Sequence, residues 1–292
     1  MKNNNLEKKK VFSFDKTFSS DIFFAKPDKY RLLENLSKDH KKIINSGSNL
    51  SYSPLGFCED GISIDLKKFN RIIKLDIENK TITVEAGITL IDFLNFTLKH
   101  NLWIPQLPGY PAITVGGAVA SNSHGKSCGV HGAIRKSIKS ILLFHKNHGW
   151  LRLSENENKE IFDLTVGGLG LTGSIINVTL NLTEIKSTKF ITKIKKVSSI
   201  KECQNIISEE NNSYIYSWHR ADNIEKFGEG VVYENHIDNT KQEKFKKLNG
   251  YNFSFKPFLF SLWNRYSISL INKIYHFVNV NKKKEETEDF VK

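Results

Sequence analysis

Apolar and polar residues alternate along Gly61-Ile62-Ser63-Ile64-Asp65-Leu66, the period of a strand with one buried face. The same period recurs over 72–77 and 81–86, and Glu78-Asn79-Lys80 between them predicts a hairpin. A second hairpin is predicted over Lys139–His145 and Trp150–Leu153, turning at Asn147-His148-Gly149. Helical spacing replaces alternation over 27–40, where Tyr30, Leu32, Leu33 and Leu36 make an apolar face opposite lysines. It returns after Thr89, a hydroxyl suited to capping a helix whose Leu90, Phe93, Leu94 and Leu98 fall on one side and which ends near Asn101. Short strands are expected at 41–45 and 175–182. From about Lys186 a strand (192–197), a helix (199–210) and an aromatic strand (213–219) follow. Mixed elements without a strict strand–helix alternation give an α+β class. Residues 1–11, basic and polar, are expected to form a mobile tail.

Composition narrows this picture only a little. The 292 residues, 39% hydrophobic and 25% charged, suit a globular protein with a real core. The net charge of +12 raises anionic partners. The lysines, however, are spread along the chain and arginine is scarce, so the expectation is no nucleic-acid partner. Cys58, Cys128 and Cys203 are widely spaced with no CxxC, which fits reduced thiols. No apolar stretch follows the basic N-terminus, so no signal peptide is read and a cytoplasmic protein is expected. The apolar segment 258–280 is broken by Asn264, Arg265, Asn272, Lys273 and His276. That excludes a spanning helix and leaves peripheral association with the inner face of a membrane open.

Glycine changes the picture most. The run from Pro108 to His131 holds Gly109, Thr114, Val115, Gly116, Gly117, Ser121, Asn122, Ser123, His124, Gly125 and Lys126. Glycine is costly inside an element, so such density points to special dihedrals or close backbone approach, and free amides in such a run form an anion-binding nest. A second loop, Ser46 to Pro54, carries Gly47, Ser48, Asn49, Ser51 and Tyr52. A third segment, Thr165 to Gly173, leads into the strand that includes Ile175. Three glycine-rich segments beside strands suit one extended ligand touched at several points. No GxGxxG lies between a strand and a helix, and no P-loop is present, so neither a Rossmann nor a Walker nucleotide site is read.

The string Pro-Gly-x4-Thr-Val-Gly-Gly-Ala-x-Ala-x-x-x-His-Gly-Lys over 108–126 resembles the flavin-contacting segment of FAD-linked oxidases of the vanillyl-alcohol oxidase type. The resemblance is closest to the oxidase subunit of the decaprenylphosphoryl-ribose epimerases and to the sugar and aldonolactone oxidases. It covers about Phe14 to Leu182 and implies a PCMH-type FAD-binding domain of two small α/β subdomains over 12–185. A partial antiparallel-sheet substrate domain is expected over 186–292. In the family's pyrophosphate loop, Arg-Gly-x-Gly-x-Ser-Tyr-Gly-Asp, the positions of Gly47, Ser51 and Tyr52 match, while Ser46, Asn49, Ser53 and Pro54 depart. Asn49 can take the left-handed backbone of the missing glycine, whereas Pro54 removes a donor.

What the resemblance implies is non-covalent FAD, because Leu50 stands where covalent relatives place their attachment histidine. The cofactor residues expected are Gly47, Ser48, Asn49, Ser51, Tyr52, Gly109, Thr114, Val115, Gly116, Gly117, Ser121, Asn122, His124, Gly173 and Ile175. His124 and Lys126 are the catalytic candidates: the first can hydrogen-bond a substrate hydroxyl, the second can offset charge on the reduced flavin. No metal is expected. The implied substrate is a secondary alcohol of a sugar or polyol, in the narrowest form a polyprenyl-phosphate pentose with a short-chain reductase as partner. Two alternatives stay open, a reductase of the UDP-N-acetylenolpyruvoylglucosamine type and a non-catalytic flavin-binding remnant. Relatives continue beyond the position of Lys292, so a truncated or split chain is expected.

Overall fold

The computed structural model describes residues 6–209, 214–221, 224–238, 245, 247–248, 265–280 and 285–289. The chain divides into two compact units. The first comprises 1–125 and 132–184, the second 126–131 and 185–292.

In the first unit, β1 (Glu7–Phe12), β2 (Ser19–Ala25), α1 (Tyr30–Asp39), β3 (Ile43–Ser46) and β4 (Ile62–Asp65) come first. They build a four-stranded mixed sheet in the order β1-β2-β4-β3, with α1 burying Leu33 against Ile62, Ile64 and Phe69. The strand β1 corrects the expected tail, since Glu7 to Phe12 pair antiparallel with Phe24 to Ser19. Its only buried side chain is Val11, which is why four charged residues in a row concealed it.

Next come β5 (Ile72–Asp76), β6 (Thr81–Glu85), α2 (Leu90–Thr97), β7 (Leu102–Trp103), α3 (Val115–Ala120), α4 (Cys128–His131, counted with the second unit), β8 (Ile138–His145), β9 (Gly149–Leu153), α5 (Lys159–Thr165), β10 (Ser174–Asn181) and β11 (Thr183–Glu184). Both predicted hairpins form, β5 with β6 and β8 with β9. The strand β10 inserts between them, giving an antiparallel sheet ordered β5-β6-β10-β8-β9. Thr89 caps α2 as expected, its hydroxyl accepting from the amide of Asp92. The apolar face of α2 is closed to water at Leu90, Phe93 and Leu94.

One buried charge ties β6 to α1 and to the loop before β5. Glu85, at the end of β6, is fully buried. It accepts from Tyr30 at 2.5 Å, from the Arg71 amide at 2.7 Å and from the Arg71 guanidinium at 2.8 Å. Burial opposes its charge, but hydrogen bonds from the Arg71 side chain and from Tyr30 outweigh that and hold the carboxyl below the ordinary range. Burial and then Glu85 push the Tyr30 phenol up.

The second unit contains β12 (Lys189–Val197), α6 (Ile200–Glu209), β13 (Tyr214–His219), β14 (Gly230–Ile237), α7 (Arg265–Val280) and β15 (Glu285–Asp289). Its four strands pair antiparallel in the order β13-β14-β12-β15. The charged end of the chain thus supplies a strand, with Glu285 opposite Lys193 and Asp289 opposite Lys189. Mixed helices and antiparallel sheets make the class α+β, as expected. Of the apolar segment 258–280, residues 265–280 are the helix α7 and 258–264 lie outside the described residues. Among the described residues no helix is long and apolar enough to cross a membrane.

Candidate flavin site

The first glycine loop leaves β3 at Ser46. Asn49 takes the left-handed conformation expected of it, at φ 52°. Ser48 donates to the carbonyl of Ala112 at 2.7 Å, which ties this loop to the central run. A Cβ on Gly47 would collide with the Thr114 hydroxyl, so the two segments touch there and only glycine fits. The Ser51 carbonyl accepts from the Phe14 amide at 3.0 Å. Tyr52 is 69% exposed, its ring edge-on to Phe14. Pro54 offers no amide, but its carbonyl accepts from Phe57 at 3.1 Å and turns the chain there.

In the central run Thr114 caps α3, accepting from the Gly117 amide at 3.1 Å. Val115 is buried, and its amide donates to Ile88. The glycine pair then divides. Gly116 donates to the Ala86 carbonyl at 2.7 Å, and a Cβ there would lie 2.9 Å from the Ala86 side chain. The fold itself requires that glycine. A Cβ on Gly117 would meet only the Thr114 hydroxyl, and one on Gly109 would meet nothing within 4 Å. Ser121 folds back on the Gly117 carbonyl at 2.8 Å, and Asn122 accepts from the Arg135 amide at 3.3 Å. His124 is exposed and bridges to Ala133.

The third segment closes the ring. Gly167 and Leu169 donate to the carbonyls of Val119 and Ala120 at 3.0 and 2.8 Å, joining it to the central run. Asn45, one residue before the first loop, donates to the Gly173 carbonyl at 3.4 Å and accepts from Ser174 at 3.0 Å. Gly173, at φ +140°, has a backbone that other residues rarely adopt. Ile175 is buried in β10. The central run is therefore hydrogen-bonded to both other glycine segments, and Asn45, just before the first loop, links that loop's strand to the third. Asn45 was missed in the sequence, where an asparagine at a strand end carries no distinguishing signal.

Lys126 lies in the second unit, where its carbonyl accepts from the Ile215 amide at 3.0 Å. Its ammonium sits 4.0 Å above the ring of Tyr216, which stacks on Tyr233. His131 lies 5.8 Å from Tyr214, and Cys128 is exposed. Both catalytic candidates are thus on surfaces, one in each unit. His219 has both nitrogens engaged, by the Gly228 carbonyl and the Ser217 hydroxyl at 2.9 Å each, so it serves the hairpin between β13 and β14. His145 and His148 stack on their own hairpin. Burial, then the charges of His148 and Lys146, lower the His145 pKa. Among the described residues no group of three or more His, Cys, Asp or Glu could hold a metal ion.

These features fit an extended polar cofactor. Gly109 has open space where a Cβ would stand, and Gly117 is crowded there only by the Thr114 hydroxyl at 3.1 Å. The hydroxyls of Ser46 and Ser123, from the first and central segments, are buried without a hydrogen-bond partner in the chain. The fold and its converging loops define a flavin-binding class of protein, and comparison with known sequences agrees. Residues 31–154 match the FAD binding domain family. Decaprenylphosphoryl-beta-D-ribose oxidase of Mycolicibacterium smegmatis is 32% identical over 183 residues, 61% of this chain and 40% of that protein. L-gulonolactone oxidase of Bos taurus is 28% identical over 259 residues, 85% of this chain and 56% of that protein. L-galactono-1,4-lactone dehydrogenase 2, mitochondrial, of Oryza sativa subsp. japonica is 25% identical over 180 residues, 62% of this chain and 30% of that protein. The match over 31–154 makes FAD the cofactor, and the chain is similar to these oxidases. It spans about half the length of these relatives, from 30% to 56%.

Proposed function

We propose that this chain is the FAD-binding part of an oxidoreductase acting on a secondary CH–OH group of a sugar or polyol. The observation that carries the reading is the hydrogen bonding that links the three glycine-rich segments, with open space beside Gly109. Bound FAD supplies a two-electron acceptor for the hydride of the alcohol carbon. The unit over 12–185 holds it, through the backbone of 46–52, 109–124 and 173–175 and the hydroxyls of Ser46 and Ser123. Leu50 offers no nucleophile for a covalent bond, so the flavin is held non-covalently. His124 hydrogen-bonds the alcohol hydroxyl, and Lys126 provides positive charge for the anion that develops on reduction. Residues 186–292 form part of the substrate-covering domain.

The relatives' names support a sugar or aldonolactone substrate. The narrower form is a polyprenyl-phosphate pentose, in a cytoplasmic setting at the membrane, with a short-chain reductase completing an epimerisation. Anaerobic mixing of the flavin-loaded protein with aldonolactones, free pentoses and polyprenyl-phosphate pentose tests it. Bleaching of the oxidised flavin band by one of these is the expected result. Bleaching by NADPH alone, or flavin left with the pellet after acid precipitation, would overturn the assignment of substrate or of attachment respectively.

A further inference from the structure

Two side chains of the short segment 126–131 rest on alternate tyrosines of β13. The Lys126 ammonium stands 4.0 Å from the centre of the Tyr216 ring, and the His131 ring lies 5.8 Å from that of Tyr214. All four residues belong to the second unit. Residues two apart on a strand share a face, so β13 offers both rings on one side of its sheet. The backbone is held there as well, because the Lys126 carbonyl accepts from the amide of Ile215, between the two tyrosines.

The seat under Lys126 is itself braced. Tyr216 stands opposite Tyr233 in the register of β13 with β14, and the two rings stack at 4.7 Å and 10°. Tyr233 is buried, and its hydroxyl lies 3.0 Å from that of Tyr275, whose ring lies 4.7 Å from Trp218. Lys126, in contrast, is exposed. An exposed lysine on its flexible stem ordinarily samples many positions. The face of an aromatic ring attracts an ammonium through its quadrupole and narrows that range. A charge already in place needs no reorganisation when a negative charge develops, whereas a mobile one does.

We infer that Tyr216 is a positioning residue: its ring, braced by Tyr233, holds the Lys126 ammonium in place ahead of the reaction. This role rests on the reading of Lys126 as the positive charge that offsets the anion of the reduced flavin. FAD-loaded protein is dimethylated on its lysines with isotopically labelled formaldehyde and a borohydride, which keeps their charge. The Lys126 methyl resonance, identified as the one missing from Lys126→Arg, should lie upfield of the main lysine envelope, shielded by the ring. It should stay there in Tyr216→Phe, which keeps an aromatic face, and join the envelope in Tyr216→Leu. The midpoint potential of the bound flavin is the second readout. Removing a positive charge disfavours the anionic reduced form, so Lys126→Ala should lower the potential. Tyr216→Leu should lower it in part and Tyr216→Phe should not. Once Lys126 is alanine, Tyr216→Leu should add nothing. Flavin content and circular dichroism check the folding of each variant. If Tyr216→Leu does not fold, shielding in the parent and its retention in Tyr216→Phe still decide. A parent resonance inside the envelope, or one unmoved by Tyr216→Leu, would overturn the inference, as would potentials that fall additively in the double variant. A shielded resonance with a potential indifferent to Lys126→Ala would instead overturn the role proposed for Lys126 and uphold the seat.

Discussion

In the first unit Leu90, Phe93 and Leu94 of α2 are shut away from water, whereas in the second α7 leaves Leu270, Ile274 and Phe277 in it. Both helices are amphipathic by sequence, and hydrophobic spacing alone does not distinguish them. The difference lies in what stands opposite. The arc of α2 is covered within its own unit, while the apolar side chains Leu270, Ile274 and Phe277 of α7 stay exposed among the described residues. The comparison also explains the glycines: those of the first unit keep backbones close around a cofactor cradle.

The largest effect is expected at Phe93. Truncation to alanine opens a cavity in a closed core and should cost about 3–5 kcal/mol in urea unfolding. A much smaller loss would mean that α2 is as loosely packed as α7. The adjacent glycines sharpen the comparison within the cradle. Gly116→Val drives a branched side chain into Ala86 and should cost about 1–3 kcal/mol, with flavin lost as a consequence. Gly117→Val meets only the Thr114 hydroxyl, so it should keep most of the melting temperature yet lose flavin absorbance. Equal flavin content in Gly117→Val and the parent would show that the open side of Gly117 does not face the cofactor.

Glu85→Gln tests the buried charge that ties β6 to α1 and to Arg71 and should cost about 1–3 kcal/mol. The folded carboxyl is held below the ordinary range, so its stabilisation is complete above the unfolded value of about 4.3 and is lost as the pH falls through the folded value. The parent should therefore lose stability on acidification more steeply than the variant. Parallel acid curves would remove Glu85 from the account. Smallest of all, Leu270→Ser should change stability by no more than about 0.5 kcal/mol, since its side chain is already in water.

Local physics was readable in the sequence wherever one residue acts on its neighbours. The hairpins of 72–85 and 138–153, the Thr89 cap and the left-handed Asn49 all follow from period or side-chain chemistry. The insertion of β10 between two hairpins does not, because strand order depends on contacts remote in the chain. The strands β1 and β15 were hidden for another reason. Their side chains are mostly charged, and they are held by backbone pairing and by the facing strand. The glycine segments announced a site, but the reason for each glycine emerged only from its neighbours, as Gly116 against Ala86 shows.

The assignment of Lys126–His131 to the second unit also governs how this protein can be cut. The chain passes between units after Gly125, after His131 and after Glu184. A protease that nicks the last of these severs 185–292 from 1–184, and the segment 126–131 stays with the N-terminal fragment, held to the rest of its unit by contacts such as the Lys126 carbonyl with the Ile215 amide. A gene fragment ending at 185 would keep the lysine above Tyr216 but discard Tyr216 itself. The second unit is thus assembled from two stretches of sequence, and a dissection at 184 leaves one of them, with its side-chain contact, on the wrong fragment.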